Sequence, residues 1–464
     1  MLSFLGQGAS NGLRLVSNII LARLLFPEAF GLMALVNVAV TGLEMLSDLG
    51  VKISIIQNKR GDEPDFLNTA WTISIIRGVS LFVLGSMLAW PYALAYEEPR
   101  LMAMVQATAL MALINGVAST KLAQLNRHIA LGRIVVFNLT SQVSGLAMMV
   151  GFAYFHRSPW ALVVGTLGTA SVNCLLSHLA TPGPRNHLRW DPEAARTIVS
   201  FGKWIFASTA ITFLANYGHT LVLGKLVQKD VLGVYNNAGS LANLPQTIGG
   251  QVIGSVLLPA LSEAFRKDHN ALVAAFERAR SLILPLAGVV SLSVILASPA
   301  FFTYFYDARY RDATWIAPLL AFSAWFVFLQ EASGRALQAM GDAKSLFIAN
   351  TTKVIVLVGC SLLGFQWNGL FGFILGTILG ALAGQAALIM RLRAQRVPSG
   401  WMDFKYTSVL LALGLGGTYA PKLLSAWTGL DAVALSIPIG ILILGPIGLW
   451  SAKRVKNAIK KPAT

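Results

Sequence analysis

The sequence predicts an all-α polytopic membrane protein with about fourteen transmembrane helices. Three observations predict it. Of 464 residues, 55% are hydrophobic and only 12% charged, and the mean hydropathy is +0.64, beyond what a water-soluble surface tolerates. Apolar runs long enough to span a bilayer follow one another along the whole chain. The breaks between them are short and carry the Pro, Gly, Asn or charge that ends a helix. Lipid cannot satisfy backbone N–H and C=O groups, and no run alternates like a barrel strand, so each run is expected to be a helix that bonds internally.

The expected spans cover residues 3–26, 30–56, 66–92, 101–125, 134–155 and 160–181 in the first half. The second half holds 201–226, 231–260, 280–306, 313–338, 345–365, 368–390, 406–426 and 430–451. The first run has neither a basic leading region nor an A-x-A cleavage site and reads as an ordinary first helix. Between the sixth and seventh runs lies TPGPRNHLRWDPEAARTIVSFGKW, from Thr181 to Trp204. It opens on Pro182 and Pro184 and continues as a short amphipathic helix with Asp191 as N-cap and Pro192 in the first position.

The organisation that follows is an N-terminal six-helix lobe at 1–181, a cytoplasmic connector at 182–200 and a C-terminal six-helix lobe at 201–397. Two additional helices at 398–452 and a basic cytoplasmic tail at 453–464 complete the chain. The lobes read as repeats. LARLLFPEAFGLM from Leu21 resembles LGKLVQKDVLGVY from Leu223 at an offset of 202, pairing Arg23 with Lys225 and Gly31 with Gly233. KLAQLNR from Lys121 resembles RALQAMG from Arg335, and VVGTLG from Val163 resembles ILGTIL from Ile374, in the same order. One such pair arises by chance in apolar sequence; three in order are harder to dismiss. Lobes with an even number of spans are parallel repeats, and the shared site is expected near the midplane between them, in a central cavity.

The formal net charge of +16 would suit nucleic acid were it not sorted by side. Breaks after even-numbered spans, with the span ends beside them and the tail, hold 25 of the 36 basic residues, against 7 in the breaks and adjoining span ends of the other side. The positive-inside rule therefore places both termini in the cytoplasm. Most tryptophans, such as Trp90, Trp160, Trp315 and Trp401, fall near span ends, where amphipathic rings sit among headgroups. Cys174 and Cys360 lie inside spans and read as buried thiols rather than a disulfide or metal pair.

Ionisable residues inside spans carry the functional signal, because each costs about 2.5–3.5 kcal/mol at a helix centre on insertion scales. Arg14 lies 12 residues before the Phe26–Pro27 turn, roughly 18 Å deep at 1.5 Å per residue, and Glu44 reaches a matching depth on the next helix. The two form an ion pair, or Arg14 faces a cavity as an anion ligand. Glu44, Asp48 and Lys52 recur every four residues and are expected on one face, with Asp48 and Lys52 paired. Arg77 lies well inside the third span, and Arg23 and Lys225 sit at the outer rim, where snorkelling relieves them. Glu331 and Arg335 have the spacing of a helical pair, whereas Lys353 has no acidic neighbour in sequence and is a cavity candidate. Glu44, Asp48, Glu331 and Arg335 are the candidates for ion coupling or cavity ion pairs. The eighth span, with Pro245, Gly249, Gly250 and Gly254, is either a bent helix lining water or a close-packed one.

No P-loop, GxSxG, HExxH or Cys/His metal spacing is present, so neither enzyme chemistry, a metal nor a cofactor is expected. Glycan polymerases or ligases embedded in the membrane would carry a large periplasmic loop with Arg or His, which the sequence lacks.

The stretch GQGASNGLRLVSNIILARLLFPEAFGLMALVNVAVTGLEMLSDLGVKISIIQNKRG, Gly6 to Gly61, resembles the opening of the Wzx-type oligosaccharide flippases of Gram-negative bacteria. The specific part is R-L-x-S-N-x-x-L-A-R-L-L-x-P-x-x-F-G and SDLG followed by Gln57 and Asn58. The resemblance implies the multidrug/oligosaccharidyl-lipid/polysaccharide superfamily, in which two six-helix lobes rock around a central cavity. It implies transport of undecaprenyl-pyrophosphate-linked oligosaccharide, an O-antigen, exopolysaccharide or capsule unit, across the bacterial inner membrane by alternating access. By the resemblance Arg14 is the first candidate for the pyrophosphate, followed by Arg77, Lys353 and Arg23. Asn216, Tyr217, Tyr235, Asn236 and Asn237 are candidate glycan contacts. Lipid-linked oligosaccharide, membrane lipid and the polymerase and other biosynthetic membrane proteins are the expected partners; nucleic acid is not. Asn216 stands at the repeat position of Arg14, so the cavity charge is expected to be asymmetric. The start is short for the family, in which a few basic residues usually precede the first span, and a shortened or alternatively started N-terminus is expected. An ion-coupled multidrug antiporter of the same superfamily is the alternative, and would favour acidic cavity residues and twelve helices.

Overall fold

A computed structural model describes residues 2–48, 50–128, 130–179 and 185–460, as helices and short connections. The opening of the connector, with Pro182 and Pro184, and the end of the tail from Lys461 lie outside the described residues. Among the described residues ten helices are long and apolar enough to cross a membrane. The chain is an all-helical, multi-pass membrane protein. Its helices gather into two compact units, Met1–Gly233 and Val234–Thr464.

Unit 1 contains α1 (Leu2–Leu24), α2 (Pro27–Leu46), α3 (Val51–Gln57), α4 (Pro64–Ala95), α5 (Arg100–Val117), α6 (Lys121–Arg127), α7 (Leu131–Phe155), α8 (Trp160–Leu179), α9 (Pro192–Leu226) and the start of α10 (Lys229–Ala242). Pro27 opens α2 after an extended Phe26, with Glu28 in the first turn, the arrangement that suits a helix N-terminus. The expected continuous second span does not form. α2 stops at Leu46 because Gly50 adopts φ 66° and starts the separate α3, a left-handed conformation that glycine adopts without a Cβ clash. Asp48 Oδ1 accepts the Gly50 N–H at 2.9 Å. Glu44, Asp48 and Lys52 therefore do not share a helical face, and no Asp48–Lys52 ion pair forms among the described residues.

The fourth span is likewise shorter than expected. α5 ends at Val117, and the turn before α6 is held by Ser177 Oγ, 2.9 Å from the Ser119 N–H. These interruptions build a small apolar core from α3, the start of α4, α6 and the start of α9, with Val51, Ile55, Phe66, Leu67, Ala195 and Ile198 among its members. Arg127 closes it by donating to the carbonyls of Ile55, Ile56 and Asn58 while pairing with Asp62 at 2.8 Å.

The connector is laid onto this core. Asp191 caps α9 by accepting the Glu193 N–H at 3.0 Å, with Pro192 in the first turn, as the spacing predicts. The short helix expected to follow is instead continuous with the seventh span, giving 35 residues to Leu226. Between them only Gly202 could interrupt, and a single glycine costs about 1 kcal/mol relative to alanine, too little to end a packed helix. Arg60 joins connector to core, donating to Asp191 at 2.8 Å, Glu63 at 2.7 Å and Glu193 at 3.3 Å. Its guanidinium, with the Glu193 N–H, holds the Asp191 carboxyl below the ordinary aspartate range. A carboxyl depressed in the folded state lends stability that is complete above its unfolded value and is lost as pH falls through the folded one. Hydrogen exchange at the start of α9, corrected for intrinsic rates, is therefore expected to stay slow from about pH 8 to about pH 5 and to quicken below about pH 4. A protected first turn at lower pH would show that Arg60 and Asp191 do not hold it.

At the opposite end of unit 1, α2 and α10 meet at their glycines. A Cβ on Gly31 would lie 1.8 Å from the Lys229 carbonyl oxygen, and one on Gly233 would lie 1.8 Å from that of Pro27. Both glycines and both carbonyls are related by the offset of 202, so the contact reads the same from either helix. Tyr96 Oη donates to the Leu221 carbonyl at 3.0 Å, Lys229 Nζ to that of Gly224 at 2.9 Å, and Arg100 pairs with Glu28 at 2.5 Å.

Unit 2 continues with α11 (Leu244–Val252), a π-helical turn at Ile253–Leu257, α12 (Leu258–Lys267), α13 (His269–Phe305), a 3-10 turn at Ala308–Tyr310, α14 (Ala313–Ala339), α15 (Ala343–Ala394), α16 (Trp401–Thr428) and α17 (Ala432–Lys460). The expected eighth span is bent, at Asn243 and at the π turn. Its glycines face α14: Cβ atoms on Gly249 and Gly250 would lie 2.3 Å from the Phe328 ring and 3.0 Å from Glu331 Oε2. Close packing thus explains these glycines. The 52 residues of α15 are broken at Asn368 and Gly369, whose φ is 50°, and its two arms fold back on each other. Gly372, Gly376, Gly380 and Gly384 form a stripe, and Cβ atoms on them would lie within 3.0 Å of Gly364, Ser361, Leu357 and Lys353 respectively. Small residues at this spacing let helix backbones approach where no water drives them together.

Candidate functional site

The charged side chains inside the apolar helices define the candidate site, and each unit holds its own set. In unit 1, Arg14 is exposed on α1, one turn beyond Ser10, which ties α1 to α7 by donating to Gln142 Oε1 at 2.7 Å. The expected pair with Glu44 does not form, and Arg14 makes no ion pair among the described residues. Depth matched the two residues, but Arg77 is the cation that reaches the end of α2. Its Nε donates to the Ser47 carbonyl at 2.9 Å and Nη2 to that of Glu44 at 2.8 Å. A helix C-terminus leaves carbonyls unpaired and carries partial negative charge, so a guanidinium satisfies it in both respects. Glu44 lies half-buried beside Arg77 and Asn115. Arg23 is exposed in the last turn of α1, and Asp48 is exposed and occupied with the turn described above.

In unit 2, Lys353 is 5% exposed, with its Cβ against Gly384, and has no ion-pair partner among the described residues. Glu331 and Arg335 form the expected pair at 3.2 Å, half-buried against the bent segment, and Arg335 also donates to Gln338 at 2.9 Å. Among the candidate glycan contacts, Tyr235 and Asn237 are buried, Asn236 and Tyr217 half-buried and Asn216 exposed. The Tyr217 ring packs on Phe213 at 5.5 Å. Accessible members of that set are therefore Asn216, Tyr217 and Asn236.

One cluster left only a faint trace in the sequence. Arg280 on α13 and Asp403 on α16 form a direct ion pair with side chains 3% and 6% exposed. Gln385 on α15 donates to Asp403 at 2.9 Å and to Ser333 on α14 at 3.2 Å, and Arg280 donates to Ser333 at 3.3 Å. Four helices are joined there. A single acid beside an apolar run, facing an arginine counted only as a side marker, was the available signal. No group of three or more His, Cys, Asp or Glu side chains suited to a metal occurs among the described residues, and Cys174 and Cys360 are free thiols.

A multi-pass helical membrane protein with isolated cations inside its apolar helices is the class that fold and side chains define. A family model described as "Polysaccharide biosynthesis protein" matches residues 20–314, and the chain belongs to that family. The lipopolysaccharide biosynthesis protein WzxC of Escherichia coli (strain K12) is 22% identical over 444 residues, covering 94% of this chain and 86% of WzxC. Among solved structures, the lipid II flippase MurJ in an inward closed conformation aligns with a TM-score of 0.70 at 13% identity, covering 98% of this chain and 99% of MurJ. An inward-facing multidrug resistance MATE family transporter of the MOP superfamily aligns at 0.63 with 14% identity, over 84% of this chain and 96% of that one. These two likenesses show the fold.

Proposed function

We propose that the protein is a flippase that moves undecaprenyl-pyrophosphate-linked oligosaccharide across the bacterial inner membrane by alternating access. Fourteen crossings in two six-helix lobes with two appended helices, both termini in the cytoplasm, complete the reading. It is carried by membership of the polysaccharide biosynthesis family over more than half the chain; the fold shared along nearly its full length with a lipid II flippase adds support. Arg14 is the principal pyrophosphate ligand, since it is exposed and engages no carboxylate among the described residues. Lys353 and the remaining donors of Arg77 supply further positive charge, which a diphosphate requires away from bulk water. Arg23 would meet the headgroup at the rim, and the polymerase would receive the flipped glycan. The half-buried Glu331–Arg335 pair is the candidate for ion coupling.

Binding of a polyprenyl-pyrophosphate oligosaccharide to the detergent-solubilised protein tests the ligand assignment. Arg14→Ala is expected to weaken it about tenfold, the worth of one charge-assisted contact of about 1.4 kcal/mol or more, without lowering thermal stability. Unchanged affinity would remove Arg14 from the site. The MATE likeness favours a second reading, organic-cation antiport, which predicts binding of such cations and indifference to Arg14.

A further inference from the structure

The connector presents a surface that the flippase reading does not use. From Arg185 to Asp191 the backbone forms no regular secondary structure and is tied to the first turns of α4. The His187 N–H donates to Asn68 Oδ1 at 2.9 Å, that of Arg189 to Thr72 Oγ1 at 3.1 Å and that of Asp191 to Thr69 Oγ1 at 2.9 Å. Asn186 is held between Ser119 and Thr120, at 2.6 and 2.8 Å. A segment tied at so many points holds its outward side chains in place. Those are Leu188, 71% exposed, and Trp190, 54% exposed. Large apolar side chains displayed on a rigid strap are an uncommon use of surface in water.

Their depth and their neighbours identify what covers them. α4 has 32 residues, about 48 Å at 1.5 Å per residue, against a hydrocarbon core of about 30 Å. Its charged residues, Asp65 and Arg77, and its Asn and Thr residues, Asn68, Thr69 and Thr72, all lie in the first half, and the run from Val79 to Trp90 carries no charge and only Ser80 and Ser86 as polar side chains. The strap therefore rides on the part of α4 that emerges among headgroups, level with Trp71, whose Nε1 donates to the Val117 carbonyl at 2.8 Å. Arg185, Arg189 and Arg196 are exposed around the apolar pair. Arg189 pairs with Asp65 at 3.0 Å and Glu193 is taken up by Arg60, while Arg185 and Arg196 make no ion pair among the described residues. Aromatic and aliphatic tips flanked by uncompensated guanidinium groups match an anionic lipid surface, with apolar groups entering the acyl boundary and cations meeting phosphates.

We propose that the connector is an interfacial anchor, in which Leu188 and Trp190 insert beside anionic phospholipid headgroups bound by Arg185 and Arg196. The membrane surface concerned is the one at the Pro64 end of α4, whichever compartment it faces. Anchoring fixes the start of α9 relative to the bilayer through the Arg60 contacts.

Spin labels on Leu188→Cys and Trp190→Cys, in the full chain with Cys174→Ser and Cys360→Ser, test this in nanodiscs. Discs of phosphatidylcholine with phosphatidylglycerol are compared with phosphatidylcholine alone. In anionic discs both labels are expected to collide more often with oxygen than with a water-soluble nickel chelate. In neutral discs, or with Arg185→Gln and Arg196→Gln together, the preference is expected to invert toward that of a label at the exposed Glu193. As a check free of cysteine variants, brominated phosphatidylglycerol is expected to quench the wild type more than Trp190→Phe. Nickel-accessible labels in both discs, with equal quenching, would overturn the proposal and leave the surface to a protein partner. Neither readout involves transport, so the result is separable from that of the flippase assignment.

Discussion

Asp403→Ala is expected to destabilise the protein by about 3–5 kcal/mol, the largest single effect of a polar substitution in unit 2. The reason is what it leaves behind. Arg280 is 3% exposed and its guanidinium faces Asp403, Ser333 and the Phe276 ring at 4.9 Å. Removing the carboxylate strands a charge among four helices, with only a hydroxyl to solvate it. Asp403→Asn keeps the volume and a hydrogen bond to Gln385 but not the charge, and is expected to lie between alanine and wild type. Replacing both partners by apolar groups, Arg280→Met with Asp403→Leu, is expected to recover most of the loss, because an isolated buried pair contributes little beyond satisfying itself. Thermal denaturation of the purified chain in detergent ranks the four proteins. A double variant no more stable than Asp403→Ala would mean that the pair organises the helices beyond neutralising its own charges.

The second large effect is at the α2–α10 contact. Gly31→Ala and Gly233→Ala are each expected to destabilise by about 1–3 kcal/mol, and Gly31→Val by more, through overpacking. The obstruction is backbone carbonyl, 1.8 Å from the added carbon in both cases, so a rotamer change cannot relieve it and the helices must separate. Separation made for one alanine also accommodates the other. The double alanine variant is therefore expected to cost clearly less than the sum of the two, the coupling of residues that share a contact. Additive losses would mean that the two glycines are obstructed independently. The same substitutions should weaken the bond from Tyr96 to the Leu221 carbonyl, and accelerated exchange at the end of α9 would report it.

Helix positions were legible in the sequence because hydropathy and terminators act locally: Pro27 and the Asp191–Pro192 cap fall where the spacing predicts, and the Asn368–Gly369 break lies just beyond the expected gap between 365 and 368. Features that depend on backbone detail within a run were not. α2 ends at Leu46 and the left-handed Gly50 starts α3 two residues before Lys52, and a continuous apolar pattern hides that. Conversely, the apparent gap between connector and seventh span closes into one helix, since tertiary packing of Ala194, Ala195 and Ile198 outweighs a polar composition. For the candidate site, depth could be counted at 1.5 Å per residue, but the rotation of each helix about its own axis could not. Arg14 and Glu44 were matched in depth, yet Arg77 reaches the α2 terminus. Glu331 and Arg335 were legible because a pair within one helix needs no rotational knowledge. Arg280 and Asp403 are 123 positions apart in sequence, and only the folded unit brings them together.

Translocation itself tests the central claim most directly. Proteoliposomes holding the purified chain and a fluorescent undecaprenyl-pyrophosphate oligosaccharide in both leaflets are treated with a membrane-impermeant quencher. With a flippase present, the protected inner-leaflet half is expected to become accessible over time, at a rate that rises with protein content and falls for Arg14→Ala. A protected fraction that stays constant with correctly folded, inserted protein, while an organic cation is exchanged for protons or sodium in the same vesicles, would contradict the account.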